Sequence, residues 1–548
     1  MLKKLIPSID WLGHYNKNDL RGDLSAGLIV AIMLIPQGMA YAMLAGLPPV
    51  IGLYASTIPL IIYALFGSSR QLAVGPVAMV SLLVFTGVSQ LAKPGTDEYI
   101  AYALLLALMV GVIQLVLGLS RLGFLVNFLS HSVISGFTSA AAIIIGLSQL
   151  KNLLGIDIPK GSIFVIISNA IMKVNEINMV TFLIGLGSII ILILLKKMAP
   201  KFPAPLVVVV LGILVVRFLQ LDQVGVKIVG DIPNGIPAFS IPMFNIEAIT
   251  ALLPIALTIS FVSFMESVAV AKSIANKEKY KINANQELNG LGLANIFGSF
   301  FSAFPVTGGF SRTAVNYQAG ARTGLASIIT AVLIFITLQF FTGLFYFLPQ
   351  AVLAAIIMVA VYGLIDAKEA VHLFKVKKAD GWTLLITFIA TLTLGIEQGI
   401  LVGIGVSLLL FIWRSAYPHI AELGYLSDQN IFKNVKYYPN AKTYENLLIY
   451  RIDASLYFAN IAFVEEKLQQ AILEKANINK VILDFSGVNS MDAIALDELT
   501  KIIEGYKKSN IEFYIAGIKQ PVYELFRKAG LDKKYKGKID FLSVDQAL

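Results

Sequence analysis

Long runs of apolar residues without any charge alternate with short polar clusters along most of the chain. Residues 24–66 and 323–365 each run for 43 positions without Asp, Glu, Lys or Arg, and about 20 apolar residues suffice for one membrane span. Clusters of Gly, Pro and charged residues divide the apolar region into fourteen such segments, which predicts an α-helical polytopic membrane protein. The predicted spans cover residues 25–43, 48–66, 76–92, 99–118, 131–150, 176–196, 204–219, 247–271, 284–302, 311–320, 323–346, 350–364, 381–396 and 398–416.

The pattern of apolar positions changes near residue 442. From there NLLIYRID, KVILDFSG, IEFYIAG and KIDFLS have the short apolar runs of β-strands. The segments IAFVEEKLQQAILEKA, AIALDELTKIIEGYKK and VYELFRKAG have the period of amphipathic helices. Residues 442–548 are therefore predicted to form a small cytoplasmic α/β domain, which a cytoplasmic linker over 417–441 joins to the spans.

Composition and charge agree with a membrane protein. The chain has 548 residues, of which 57% are hydrophobic and 14% charged, too few charges to cover the surface of a soluble protein of this length. Residues 442–548 carry 15 basic and 15 acidic residues, so the net charge of +9 belongs to the rest of the chain. If both termini are cytoplasmic, 21 of the 28 basic residues before the soluble domain lie inside, which predicts an even number of spans in a bacterial inner (plasma) membrane.

The residue inventory excludes several kinds of site. The chain contains no cysteine and only four scattered histidines, so we expect no metal site and no cofactor. The spans offer no Walker phosphate loop, no nucleophile with a base and no paired carboxylates, so we expect neither an enzyme nor an ATP-driven pump. The basic excess follows the positive-inside bias, and no nucleic-acid partner is expected.

Two glycine-rich segments, residues 74–82 and 308–316, are too short to cross a membrane alone and have the character of half-helices. They hold the third position in two successive sets of seven spans, and because seven is odd the second set enters the membrane from the opposite side. Facing half-helix N-termini in such an inverted repeat attract anions. The predicted divisions are an N-terminal cytoplasmic tail over 1–24, a first repeat over 25–220, an extracellular linker over 221–246 and a second repeat over 247–416.

Two ionisable residues lie deep in the predicted spans. Arg312, within FPVTGGFSRTAVN, places in the second half-helix a charge that a bilayer disfavours, which predicts a functional site for a negative charge. Glu266 is expected to take up a proton during a transport cycle; the alternative is that it neutralises Arg312 or Lys272. The half-helix glycines Gly75, Gly308 and Gly309 are expected to let backbone N–H groups close on an ion, and the alternative explanation is close helix packing.

Three stretches of the chain resemble a known family. PQGMAYAMLAGLPPVIGLYASTIPLIIYALFGSSRQLAVGPVAMVSL and GGFSRTAVNYQAGARTG resemble the signature of the SulP family of anion permeases. VILDFSGVNSMDAIALDEL resembles the core of the STAS domain, which sulfate transporters share with anti-sigma factor antagonists. The resemblance implies seven plus seven inverted spans divided into a core domain and a gate domain, a homodimer, and an elevator-like movement of core against gate.

The resemblance also implies where the substrate binds. Gln37 would offer an amide donor, Tyr41 an amphipathic wall, and Arg312 a positive charge that persists at any accessible pH. The serine that is phosphorylated in the antagonists corresponds to Ile494, so that switch is not expected in this STAS domain. The expected substrate-binding residues are Gln37, Tyr41, Gly75, Val77, Ala78, Gly309, Ser311, Arg312 and Thr313.

The expected function is secondary active transport of a small anion of the sulfate, bicarbonate, chloride or dicarboxylate class, by proton symport or anion exchange. Sodium-coupled bicarbonate transport is an alternative, which Arg312 disfavours because a guanidinium repels sodium. A sensor or motor, in which a bound anion moves charge without net transport, is a second alternative. A nucleobase permease shares the two-repeat plan but would require acidic partners in place of Arg312.

Overall fold

A helix lies over each of the fourteen apolar segments that the sequence predicts. The computed structural model describes residues 6–124, 130–158, 163–199, 203–475, 477–539 and 541–548, and it divides into two units, Met1–Ser407 and Leu408–Leu548. The helices before the soluble domain are α1 Ser8–Leu12, α2 Lys17–Leu44, α3 Pro49–Tyr54, α4 Ile58–Phe66, α5 Ala78–Val88, α6 Asp97–Leu119, α7 His131–Ser148, α8 Leu150–Leu154, α9 Ile163–Met172, α10 Met179–Met198, α11 Ala204–Leu219, α12 Ile246–Lys277, α13 Ala284–Ser299, α14 Phe310–Gln318, α15 Leu325–Phe340, α16 Gln350–Tyr362, α17 Ala367–Val376, α18 Lys378–Leu394 and α19 Ile396–Ala416.

Among the described residues, eight helical stretches are long and apolar enough to cross a membrane by themselves. Four further helices are apolar but shorter, and α5, the first predicted half-helix, is one of them. The eight long stretches are Lys17–Leu44, Pro49–Phe66, Asp97–Leu119, His131–Leu154, Met179–Met198, Ile246–Lys277, Gln350–Val376 and Gln398–Ala416. This finding places the chain among multi-pass membrane proteins.

The first long helix begins earlier than predicted. Helix α2 starts at Lys17, inside the predicted tail over 1–24, because Asn16 and Asp19 form a reciprocal capping box that supports a helix in polar sequence. The start is then held by Asp23, a fully buried carboxylate that accepts hydrogen bonds from the backbone N–H groups of Arg322 at 2.7 Å and Thr323 at 3.0 Å. Local hydrophobicity contains no sign of that distant partner.

The strands of the membrane unit are β1 Val74–Gly75 and β2 Thr307–Gly308, and those of the soluble unit are β3 Ile420–Leu426, β4 Ile431–Asn434, β5 Leu447–Ile452, β6 Lys480–Asp484 and β7 Glu512–Ala516. The soluble unit contains a five-stranded sheet with the order β4-β3-β5-β6-β7. Strand β3 runs antiparallel to both of its neighbours, whereas β5, β6 and β7 run parallel, as helical crossovers require. The helices are α20 Ile461–Glu474, α21 Ala493–Lys508, α22 Gln520–Lys528, α23 Leu531–Lys534 and α24 Val544–Ala547.

One prediction for this unit is wrong, and another is tested only in part. The predicted linker over 417–441 contains β3 and β4, which belong to the sheet. These short strands mix polar and apolar residues, so their structure comes from pairing and not from their own pattern: β3 pairs with β5, and β4 pairs with β3. The predicted strand KIDFLS includes Asp540, which lies outside the described residues; of its described part, Phe541 makes an isolated parallel bridge to Ala516 of β7. The three predicted helices are confirmed as α20, α21 and α22.

Candidate anion-binding site

Two short helices begin side by side in the membrane unit. The two-residue strands β1 Val74–Gly75 and β2 Thr307–Gly308 pair antiparallel, and each leads within three residues into a helix, α5 or α14. The first-turn N–H groups of a helix have no partner within it and carry its positive dipole end. Within the described part of the chain no side chain caps either helix, so both ends remain available to an anion.

Arg312 lies in the first turn of α14 and is only 2% exposed. Its Nε donates to the carbonyl of Ala73 at 3.2 Å and its Nη1 to the carbonyl of Pro76 at 2.9 Å. Among the residues that the structure describes, Nη2 has no hydrogen-bond partner. The guanidinium therefore ties one half-helix to the start of the other, and one of its nitrogens is left for a ligand.

The glycines of the two half-helices make room for this guanidinium. A Cβ atom on Gly309 would lie 3.0 Å from Nη2 of Arg312, and one on Gly75 would lie 3.3 Å from it. Gly75 also has a φ of +150°, which side chains rarely adopt. The sequence interpretation assigned these glycines to close approach of an ion; the structure shows that the arginine occupies the space beside them.

Side chains of α14 also hold the extended segment before α5. The hydroxyl of Thr313, which is fully buried, accepts from the N–H of Ala73 at 3.0 Å. The amide of Asn316 donates to the carbonyl of Gln71 at 2.8 Å. The structure thus places Thr313 between the two segments, and it adds Asn316, which the sequence reasoning missed although it follows Arg312 by one helical turn.

Gln37 and Ser311 line one cavity of about 390 Å³, a size suited to a small ligand. Gln37 follows Pro36 in α2, where the missing N–H of proline interrupts the helix hydrogen bonds. Ser311 is exposed to the cavity, and Ser25 and Lys196 lie elsewhere on its wall. The structure therefore brings two of the predicted substrate residues together at one opening.

The remaining predicted residues surround the half-helix ends. Val77 is the N-cap of α5 and Ala78 its first residue, and both are buried in the hydrophobic cluster that also contains Tyr41. Glu266 lies on α12, and its Oε2 is buried without a hydrogen-bond partner in the described residues. The hydrogen bonds that the Arg312 guanidinium makes go to carbonyl oxygens and not to Glu266.

Comparison with known proteins decides what this arrangement belongs to. Residues 20–387 match the family model described as Sulfate permease family. The chain belongs to the sulfate permease family. Residues 438–547 match the STAS domain, so both resemblances seen in the sequence motifs are confirmed.

Relatives in this family bear the names of transporters. The chain is 43% identical over 547 residues to sulfate transporter 4.1, chloroplastic, of Arabidopsis thaliana. The aligned region covers 96% of this chain and 79% of that relative. The murine anion transporter Slc26a9, solved in the inward-facing state, has a TM-score of 0.91 and 28% identity over 99% of this chain and 93% of its own. The transmembrane domain of the cyanobacterial bicarbonate transporter BicA has a TM-score of 0.63 and 26% identity over 71% of this chain and 98% of its own.

These likenesses establish a helical membrane transporter fold with a STAS domain, and a chain of the anion and sulfate transporter class. The sequence reasoning missed several buried polar residues behind the half-helices. Asn295 is one of them, and its signal was an amide within the otherwise apolar stretch LGLANIFGS. In membrane helices such residues form hydrogen bonds between helices.

Proposed function

We propose that the chain is a secondary active transporter that carries sulfate, or another small anion of that class, across the membrane. The observation that supports this most directly is the Nη2 of the buried Arg312, which has no partner in the described part of the chain and lies between two helix ends that no described side chain caps. A buried cation is stable only when it is paired, and the two carbonyls that it already binds carry no net charge. A permeating anion supplies the missing counter-charge.

Sulfate is the substrate that we place first, because curated relatives over nearly the whole chain are named sulfate transporters. Sulfate has four oxygens that accept hydrogen bonds and two charges, which suit a guanidinium and two sets of helix N–H groups. Bicarbonate is the second candidate, since the fold of BicA is similar. Chloride and dicarboxylates complete the class to be tested.

The proposed architecture has fourteen spans in two inverted sets of seven, over 25–220 and 247–416, separated by the extracellular linker. The antiparallel pairing of β1 with β2 supports this arrangement, because repeats that enter the membrane from opposite sides bring equivalent segments together antiparallel. The core and gate division and the elevator movement belong to the same proposal.

We infer that the cavity beside Gln37 and Ser311 opens toward the cytoplasm. Lys196 lies on its wall, in the last turn of α10, and the positive-inside bias places that end of the helix on the cytoplasmic side. The similar murine Slc26a9 was solved in the inward-facing state. The accessible state of this chain is therefore the one that would release a substrate inward.

Coupling is assigned to Glu266, whose buried and unpartnered Oε2 can accept a proton. Sodium coupling is disfavoured because Arg312 already supplies a positive charge to the site. The remaining proposals are a homodimer in a plasma membrane, cytoplasmic termini, and a STAS domain that serves assembly and regulation.

The test is uptake by purified protein in liposomes of labelled sulfate, bicarbonate, chloride and succinate, each with and without an inward proton or sodium gradient. We expect saturable sulfate uptake that disappears in Arg312→Ala and persists in Arg322→Ala. Arg322 is a matched control because its side chain is 61% exposed and forms a loose pair with Asp19 at 3.8 Å.

The outcomes separate the candidates. Accumulation driven by the proton gradient and lost in Glu266→Gln supports proton symport, and accumulation driven by sodium supports the bicarbonate alternative. Charge movement across the membrane without accumulation of any anion would replace the transporter by the sensor or motor. Equal uptake by wild type and Arg312→Ala would remove the arginine from the site.

A further inference from the structure

Asn295 binds the backbone of the segment that enters the second half-helix. This residue lies on α13 and is 1% exposed. Its Oδ1 accepts from the N–H of Val306 at 2.8 Å, and its Nδ2 donates to the carbonyl of the same residue at 3.1 Å. A side-chain amide that accepts from the N–H and donates to the C=O of one residue makes the two hydrogen bonds that a neighbouring strand would make. Asn295 thus continues the β1–β2 pair on the edge remote from β1.

A buried polar network extends this edge. The Nδ2 of Asn295 also lies 3.2 Å from Oε1 of Gln114 on α6, and Nε2 of Gln114 donates to the hydroxyl of Ser263 on α12 at 2.8 Å. The carbonyl of Ser263 in turn accepts from the hydroxyl of Thr307 at 2.8 Å. The ring of contacts returns to β2, and its four residues, Asn295, Gln114, Ser263 and Thr307, are at most 1% exposed.

Helix α12 makes a second contact with β2 one turn further on. The hydroxyl of Ser267 lies 2.7 Å from that of Thr307 and accepts from the N–H of Gly308 at 2.9 Å. Side chains of α13 and α12 therefore hold the consecutive residues 306–308, and Gln114 of α6 binds Asn295 and Ser263 in turn. Arg312, whose guanidinium binds the segment that enters the first half-helix, follows Gly308 by only four residues.

The helices behind this network cannot easily shift. Helices α6 and α13 meet backbone to backbone, since a Cβ atom on Gly111 would lie 2.7 Å from the carbonyl oxygen of Gly292. A Cβ atom on Gly292 would likewise lie 2.7 Å from the backbone nitrogen of Leu115. Gln114 and Asn295 thus project from a closely packed pair, which gives them a fixed position.

We propose that Asn295 is a positioning residue for the anion site. Through its two hydrogen bonds to Val306 it fixes the position of β2, and thereby the position from which the Arg312 guanidinium contacts the anion. The inference rests on the proposed function, because it assigns a role within that site. Asn295 itself makes its bonds to protein groups and touches no substrate. Its effect on transport passes through Arg312.

The variant to test is Asn295→Leu, which keeps the number and branching of the side-chain heavy atoms and removes both bonds to Val306. The control is Asn289→Leu, on the same helix, since the Asn289 amide oxygen has no hydrogen-bond partner in the described structure. A further variant, Gln114→Leu, removes the bond behind Asn295 and leaves both bonds to Val306.

Backbone hydrogen–deuterium exchange over residues 304–313, measured without any anion, tests directly whether Asn295 holds this segment. We expect exchange about tenfold faster in Asn295→Leu than in wild type, because one buried backbone pair is lost, and a smaller increase in Gln114→Leu. The control Asn289→Leu should exchange like wild type over these residues. Unchanged exchange in Asn295→Leu would overturn the positioning role, whatever the transport assays show.

Sulfate uptake then measures the effect of the lost bonds on anion binding. We expect the KM for sulfate to rise about tenfold in Asn295→Leu while the maximum rate changes less, because the arginine is displaced and not removed. A normal KM together with faster exchange would also overturn the proposal, since the segment would then move without affecting the anion. Absence of transport by wild type would refute the proposed function instead, and the exchange result would still decide whether Asn295 holds the segment.

Discussion

The substitution Arg312→Lys separates the charge of the site from its geometry. The guanidinium donates to the carbonyls of Ala73 and Pro76 through two nitrogens at 3.2 and 2.9 Å, and its third nitrogen has no partner among the residues that the structure describes. A lysine keeps the positive charge but presents its three donors from one atom, so it cannot reach both carbonyls and an anion in the same way. We therefore expect the variant to lose at least one charge-assisted hydrogen bond.

The magnitude follows from that count. One charge-assisted hydrogen bond contributes about 1.5–3 kcal/mol, so the KM for sulfate should rise roughly 10- to 150-fold in Arg312→Lys. In Arg312→Met the charge is lost as well, and binding should become undetectable. The carbonyl of Ala73 keeps a donor in the N–H of Gly309 at 3.1 Å, whereas the carbonyl of Pro76 loses the arginine. That orphaned carbonyl should lower the free energy of unfolding by about 1–3 kcal/mol.

The assay combines initial rates of sulfate uptake in liposomes over a range of concentrations with thermal unfolding in the presence and absence of sulfate. Arg322→Lys is the control, because its exposed side chain lies outside the half-helices. A wild-type KM in Arg312→Lys would refute the geometric argument. Full protection of Arg312→Met by sulfate against unfolding would show that the helix ends bind the anion without the arginine.

Three further outcomes are expected. Gly309→Ala should lower sulfate uptake by more than about tenfold, since its Cβ would lie 3.0 Å from the guanidinium, while Gly187→Ala, with no atom within 4 Å, should transport normally. Glu287→Gln should lower the melting temperature measured by thermal unfolding. The buried carboxylate accepts from the hydroxyl of Tyr63 at 2.7 Å, from the N–H and hydroxyl of Ser68 and from the N–H of Ser69, and an amide nitrogen cannot accept. In the soluble unit, burial would raise the pKa of the Asp453 carboxyl, but hydrogen bonds from an arginine and a histidine outweigh it and hold the pKa below its usual value. The resulting stability is present above about pH 4 and is lost as pH falls through the lowered pKa, so Asp453→Asn should flatten the acid limb of a stability-versus-pH curve; an unchanged acid limb would contradict this.

Much of the candidate site was predictable from the order of residues alone. Gly75 and Gly309 marked short broken helices, and an arginine in so apolar a setting marked a place where charge is needed. Both signals are local: a backbone that must approach something closely, and a side chain that the bilayer disfavours. The structure confirms that the two marked segments meet, through the pairing of β1 with β2.

The partners of those residues were not predictable, since each lies far away in sequence. The buried Asp23 meets a loop that follows it by about 300 residues, and Asn295 meets Val306 only because the chain folds back after α13. Such amides and carboxylates look like defects in apolar helices until their acceptors and donors are known. Their hydrogen bonds explain why they are tolerated in the buried interior.

What the sequence by itself determined is the class of each segment: apolar length produces membrane helices, alternation produces a soluble α/β domain, and glycine permits a broken helix. The tertiary structure alone decided which nitrogen of Arg312 is free, which carbonyls its other nitrogens hold, and that β3 and β4 complete the soluble sheet. The physical reason is the separation along the chain between the groups that interact. Hydrophobic periodicity acts between neighbours along the chain, whereas a hydrogen bond in a buried site depends on the positions of groups that only folding brings together.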